Sequence, residues 1–227
     1  MAVLAVALPL FTLVEVNYPR LSPQSQLAVF AALGLALGFL KKKKREGAAL
    51  VGDLLLAAAS VAVCAYVVVQ TEPWTSSLWA GGQSLGNRAG VETSLDVVVG
   101  LAGLLLVLEA TRRTIGLALP ILALIFLAYA RLGAFLPDLL LPHRGYDLER
   151  IVSQAFLHSQ GVFGVALKVM FSYVFLFVVF GALLEATGAT GFIVGAGRRL
   201  FGGTTGGPAK VAVFSSGLLG SLSGSAV

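Results

Sequence analysis

Six consecutive positions, Gly220-Ser221-Leu222-Ser223-Gly224-Ser225, set two glycines and three serines side by side. Glycine costs about 1 kcal/mol in a helix interior, and serine competes for the backbone with its own hydroxyl, so this run opposes helix. Upstream, Gly207-Pro208 reads as a cap followed by a first-turn proline. A helix over 208–220 would be about 20 Å long at ~1.5 Å per residue, short of a ~30 Å hydrocarbon core. Inside a bilayer such a helix ends with carbonyls and hydroxyls unpaired, which lipid does not tolerate, so the break must line a cavity or bind something. An all-oxygen donor set suits a hard cation such as Na+. Ser221, Ser223 and Ser225 are candidate ligands, Gly220 and Gly224 allow close backbone approach, and the helix C-terminus adds a partial negative charge. Helices broken at mid-membrane hold Na+ and anionic substrates in secondary transporters. The alternative is a full spanning helix whose small residues serve close packing, and composition alone leaves both open.

A second chemistry makes Ser223 or Ser225 the nucleophile of an intramembrane serine hydrolase. It requires a general base within reach. His143 and His158 are the two histidines, and both fall toward the outer side while the serines sit at mid-depth. The run also has Leu222 where a nucleophile elbow needs serine. One cysteine, Cys64, lies in an apolar run, so neither an internal disulfide nor a zinc set is expected. The stretch 203–210 shares glycines and a lysine with phosphate loops. Ala209 precedes Lys210, Val211 follows it and no strand leads in, so no nucleotide or other cofactor is implied.

The elements that must position these residues are apolar. The chain has 227 residues, 57% hydrophobic and 12% charged, with a mean hydropathy of +0.91. Soluble domains run near one quarter charged, so the bilayer is the expected solvent. The net charge of +5 does not imply a nucleic acid partner, because Lys and Arg cluster between apolar runs. No basic region precedes the apolar start, so no cleavable signal peptide is read. Apolar runs cover 1–14, 26–40, 48–69, 95–108, 115–129 and 162–184. A polar loop with Trp74 and Trp79 fills 70–94 and fits an outer aromatic belt. Thr93 and Asp96 have capping-box spacing. From Asp147, Leu148, Ile151, Val152, Ala155 and Phe156 share a face, which predicts an amphipathic helix lying at the interface.

Basic residues predict orientation. Lys41, Lys42, Lys43, Lys44 and Arg45 form the densest block and are expected in the cytoplasm, with Arg112, Arg113, Arg198, Arg199 and Lys210 on the same side. Arg20, Arg88, Arg131, Arg144 and Arg150 fall outside, and Lys168 sits inside a run near its outer end. This bias places the N-terminus in the cytoplasm. Glu109 has helical spacing to Arg112 and Arg113 and is expected to pair with them. Asp53 and Glu185 read as interfacial, Asp53 near Lys44 and Arg45, with an intramembrane functional acid as the alternative for Asp53. Gly34 and Gly38 form a G-x-x-x-G, a candidate packing face.

Residues 168–227 resemble the large membrane subunit of TRAP transporters, the tripartite ATP-independent periplasmic permeases. The resemblance lies in "FSYVFLFVVFGALLEATGAT" and "GGPAKVAVFSSGLLGSLSGSAV". It implies that the second stretch forms the first re-entrant hairpin, whose serine/glycine tip helps bind Na+ beside the substrate. "VLEATRRTIGLALPILALIFLAYA" and "HRGYDLERIVSQAFLHSQGVFGVAL" look like the fused, TAXI-like type, in which a small four-helix and a twelve-helix subunit share one chain. The resemblance covers about 95–227 directly and 1–94 by hydropathy and length. The expected fold is an all-α, polytopic membrane protein: about six spanning helices, an interfacial amphipathic helix and the first half of a re-entrant hairpin. Residues 1–113 are expected to be small-subunit-like, and 114–227 to begin the transport subunit. The rest of that subunit is expected beyond Val227. The implied function is Na+-coupled uptake, through the bacterial inner membrane, of a small organic acid delivered by a periplasmic solute-binding protein, with no enzyme activity.

Overall fold

The structure is a computed structural model that describes residues 2–41, 48–135, 141 and 143–223. Among the described residues every regular element is helical. The main helices are α1 (Ala2–Asn17), α2 (Pro23–Leu40), α3 (Ala48–Thr71), α4 (Ser94–Thr114) and α5 (Ala118–Leu132). They are followed by α6 (Leu148–Val152), α7 (Val165–Val169), α8 (Phe175–Ala186), α9 (Ala189–Phe201) and α10 (Gly207–Ser223). A π-helical turn, Ser153–Leu157, extends α6, and another, Met170–Val174, joins α7 to α8. Five helices are long and apolar enough to cross a membrane: Pro23–Leu40, Leu50–Thr71, Ser94–Thr114, Ala118–Phe135 and Val165–Ala186. The first apolar run of the sequence, 1–14, becomes α1, which at 16 residues is shorter. Only 11% of the Ala118–Phe135 window is buried, so its Leu119, Ile121, Leu122 and Phe126 face outward. Such a surface is stable only in an apolar solvent.

The chain divides into two compact units, Met1–Lys168 and Val169–Val227. In the first, α2 packs chiefly on α3. The buried stripe of α2 is Ala28, Ala32, Ala36 and Phe39, spaced for one helical face. Among the described residues the expected G-x-x-x-G face has no packing partner: a Cβ built on Gly34 or Gly38 would meet nothing within 4 Å. The alanines already permit the close approach, on a different face.

Close glycine packing occurs instead on α4. The ring of Phe156 rests on Gly103, and a Cβ at Gly100 would stand 2.8 Å from Val152 Cγ1. The amphipathic segment therefore forms where the apolar spacing predicts it, capped by Asp147. Ile151, Val152, Phe156 and Leu157 are buried while Leu148 is 54% exposed. Its apolar side lies against α4 rather than spread on lipid. Phe163 closes the cluster edge-on to Phe156, centroids 5.2 Å apart.

The second unit is α8, α9 and α10. α8 ends at Thr187, whose amide donates to Leu183 O, and Gly188 takes the left-handed conformation (φ 80°) that starts α9. After α9 the chain reverses through 202–206, where Gly206 is also left-handed (φ 73°), and α10 begins with Pro208 in its first turn. α9 leads into this turn, so the phosphate-loop geometry is absent there.

Candidate functional site

The hairpin of α9 and α10 is drawn together by Gly197. A Cβ there would stand 3.2 Å from Phe214 Cδ1 and from Ser215 Oγ, and 3.4 Å from Val211 Cγ1. Phe201 and Phe214 meet edge-on at 5.4 Å. Two cavities flank the hairpin. One, of about 370 Å³, is lined by Glu185, Thr190, Ile193 and Leu219. The other, of about 550 Å³, is lined by Arg198, Val211, Ser215 and Ser216. Ser215 is 6% exposed, and its hydroxyl has no hydrogen-bond partner among the described residues. Sequence reading passed over Ser215 and Ser216. Two adjacent hydroxyls in the middle of an apolar half-helix were the available signal.

α10 continues through Gly220 to Ser223, three residues past the break expected from composition. Each residue added to an existing helix gains one backbone hydrogen bond, and this outweighs the penalty of a single glycine of about 1 kcal/mol. The 17 described residues of α10 span about 25 Å at ~1.5 Å per residue. Gly220 has open space around its Cα. Ser221 and Ser223 occupy the last helical turn, and Gly224 and Ser225 lie outside the described residues. Of the basic block, Lys41 caps α2 and is exposed. Lys42, Lys43, Lys44 and Arg45 lie outside the described residues.

The first unit carries polar clamps at both ends of its bundle. At one end Asp96 completes the capping box with Thr93. Its Oδ1 also accepts from Tyr66 Oη at 2.7 Å and Arg88 Nη2 at 3.2 Å. Arg88, 3% exposed, donates as well to Ala80 O at 2.9 Å and Gln70 Oε1 at 3.0 Å. Glu72 accepts from the Ser22 amide at 2.8 Å and from Trp74 Nε1 at 3.0 Å. Burial acts to raise the Glu72 pKa, but hydrogen bonds from Ser25, Ser22 and Trp74 hold it below the ordinary glutamate value. Glu92 behaves alike. Burial pushes it up, and the Gly90 amide, Ser153 and His158 pull it lower overall. Ser153 Oγ donates to Glu92 Oε1 at 2.6 Å, and His158 Nε2 stands 3.6 Å from the same oxygen.

At the other end Glu109 pairs with Arg112 and Arg113 as its spacing predicts, at 2.7 and 2.6 Å. Asp53 is buried and takes Arg113 Nη1, a partner from α4 that local sequence did not disclose. The Arg113 guanidinium also lies over Phe39, 5.4 Å from its centroid.

Both histidines face partners within the first unit. His143 Nδ1 accepts from the Gly145 amide, with its ring against Gly133 and between Tyr129 and Tyr146. His158 faces Glu92. Among the described residues no group of three or more His, Cys, Asp or Glu could hold a metal. Residues 102–227, more than half of the chain, match the family model described as Tripartite ATP-independent periplasmic transporter, DctM component. No curated protein and no solved structure matches the chain.

Proposed function

The chain belongs to the family of the DctM component of tripartite ATP-independent periplasmic transporters, and from that premise we propose that it takes part in Na+-coupled uptake of a small organic anion handed over by a periplasmic binding protein. Family membership makes it a component of a secondary transporter and not an enzyme, and leaves the serine hydrolase reading without support. The five long apolar helices agree with a multi-pass membrane protein.

The observation that carries the ion reading is the hairpin of α9 and α10. Its second helix, started by Gly207-Pro208, leads directly into the serine/glycine sequence. We assign Gly220, Ser221, Ser223, Gly224 and Ser225 to part of the Na+ shell. The hydroxyls, together with carbonyls at the C-terminal end of α10, give a hard cation oxygen ligands in the partial negative field of the helix end. The organic anion would sit beside the cation, where its charge is offset. The location in this reading is the bacterial inner membrane with the N-terminus in the cytoplasm. Residues 1–113 act as the small-subunit-like scaffold, and 114–227 begin the transport subunit of a fused, TAXI-like permease. The two polar clamps of the first unit support the scaffold role, because they fix helix ends that a moving element would need free.

Uptake of a panel of labelled organic acids into proteoliposomes, with the complete permease and its binding protein, tests this. Accumulation should need an inward Na+ gradient and the binding protein, and no ATP. Equal uptake with K+ replacing Na+ would refute the coupling. Equal uptake without the binding protein would refute the delivery.

A further inference from the structure

Lys168 lies one turn inside the apolar span Val165–Ala186. An ammonium at that depth is costly in hydrocarbon, and its long stem can carry it only as far as the headgroup level. Among the described residues it forms no hydrogen bond and no ion pair. Its counter-charge therefore has to come from elsewhere. Beside it is a cavity of about 430 Å³, with Gln24, Ser159 and Lys168 as polar lining and Leu27, Phe163 and Val165 as apolar lining. Val165 is 77% exposed, while Leu27 and Phe163 are 5% and 2% exposed, so Val165 forms the open apolar edge of the cavity.

The cavity lies at a membrane-water boundary. Ser22, in its wall, donates to Glu72, which also receives Trp74 Nε1. Trp74 is 73% exposed, the placement of an interfacial anchor. A water-borne anion would gain nothing from an apolar wall facing the bilayer. A lipid uses both parts of the site.

We propose that this cavity holds one phospholipid, its phosphodiester on the Lys168 ammonium and an acyl chain running out along the exposed Val165. The Ser159 hydroxyl and the amide oxygen of Gln24, whose Nε2 donates to Leu157 O, are the further polar groups offered to the head. This site does not depend on the transport reading.

The test uses the whole chain, purified and delipidated in detergent, then titrated with dioleoylphosphatidylglycerol and followed by native mass spectrometry. The wild type and K168R should retain one lipid. K168Q should bind it about fivefold more weakly, the effect of one basic side chain near a lipid surface. K210Q should match the wild type. Dioleoylglycerol, which has the same chains but no phosphate, should bind the unaltered protein as weakly as the phospholipid binds K168Q. Equal retention by K168Q, or equal binding of dioleoylglycerol, would overturn the proposal. Displacement of the phospholipid by succinate would overturn it too, by making the site one for carboxylates. The dioleoylglycerol comparison needs no variant, so it decides the matter even if K168Q misfolds.

Discussion

Arg113 near the end of α4 places Nη1 2.5 Å from Oδ1 of Asp53 near the start of α3, while its Nε holds Glu109 of its own helix at 2.6 Å. One guanidinium thus ties two helices and orients a second carboxylate. Arg113→Met should leave Asp53 buried without this partner. The expected loss is about 3 kcal/mol, as for other broken buried pairs, read as a lower melting temperature in detergent. The double variant Asp53→Asn, Arg113→Met should lose clearly less than the losses of Asp53→Asn and Arg113→Met added. Additive losses would show that the pair is not coupled.

Glu92 gives the first unit an acid limit. Its folded pKa lies below the ordinary glutamate value of 4.5, so as pH falls the unfolded chain takes the proton first. The stabilisation is complete above that value and is lost as pH drops through the folded pKa. Melting temperature in nanodiscs should be insensitive to this group from pH 7 to about 5 and fall below about 4.5. Glu92→Gln should be less stable at pH 7 and lose part of the acid slope. Glu72, depressed in the same direction, accounts for a further part. An unchanged slope in both Glu92→Gln and Glu72→Gln would exclude these carboxylates.

Local rules made part of this visible in the sequence. Thr93 and Asp96 disclosed their capping box because the motif spans four residues, and Glu109 disclosed its arginines because they lie three and four positions on. The apolar face of 147–156 predicted which side chains would be buried. Its cover was not readable, because Gly100 and Gly103 lie about fifty residues upstream and nothing local distinguishes them from Gly34 and Gly38, which pack against nothing. Asp53 and Arg88 were hidden for the same reason. Arg88 counted as one more outer charge, yet it is among the most buried polar groups and knits the loop through Gln70 and Asp96. The end of α10 was set too early because composition weighs residues singly, whereas a helix propagates cooperatively.

Gly103 is the contact point of the docked segment. Gly103→Val would place methyls where the Phe156 ring lies. The expected cost is roughly 1–3 kcal/mol, as for other overpacked cores. It should show as faster protease cleavage within 141–161. Phe156→Leu in the same background should restore part of the protection. Equal cleavage of wild type and Gly103→Val would mean the packing is unimportant.

Orientation is testable with one reactive cysteine at a time. The native Cys64 is buried, 1% exposed, so background labelling should be low. Gln83 and Lys41 are both exposed. In intact cells an impermeant maleimide should label Gln83→Cys and spare Lys41→Cys until the membrane is permeabilised. The reverse pattern would place the N-terminus outside and invert the charge argument.

The ion site yields the sharpest expectation. α10 delivers Ser221 and Ser223 in its last turn, and sequence places Gly224 and Ser225 next. If the proposed Na+ shell holds, Ser223→Ala or Ser225→Ala removes one oxygen ligand from it and leaves the backbone carbonyls. The half-saturating Na+ concentration for uptake should rise by about fivefold to tenfold, matching the ~1 kcal/mol of a single polar contact. Protein yield and melting temperature should stay near wild type, because the exchange of hydroxyl for hydrogen leaves no large side chain to repack. Gly224→Val should act more strongly, since a branched side chain blocks the close approach of backbone oxygen to the ion. Loss of fold alone would lower maximal uptake in all variants and leave the Na+ dependence of the remaining activity unchanged. Loss of a ligand shifts the Na+ dependence itself. Proteoliposome uptake measured against Na+ concentration separates the two. An unshifted half-saturation in all three variants would remove these residues from the shell.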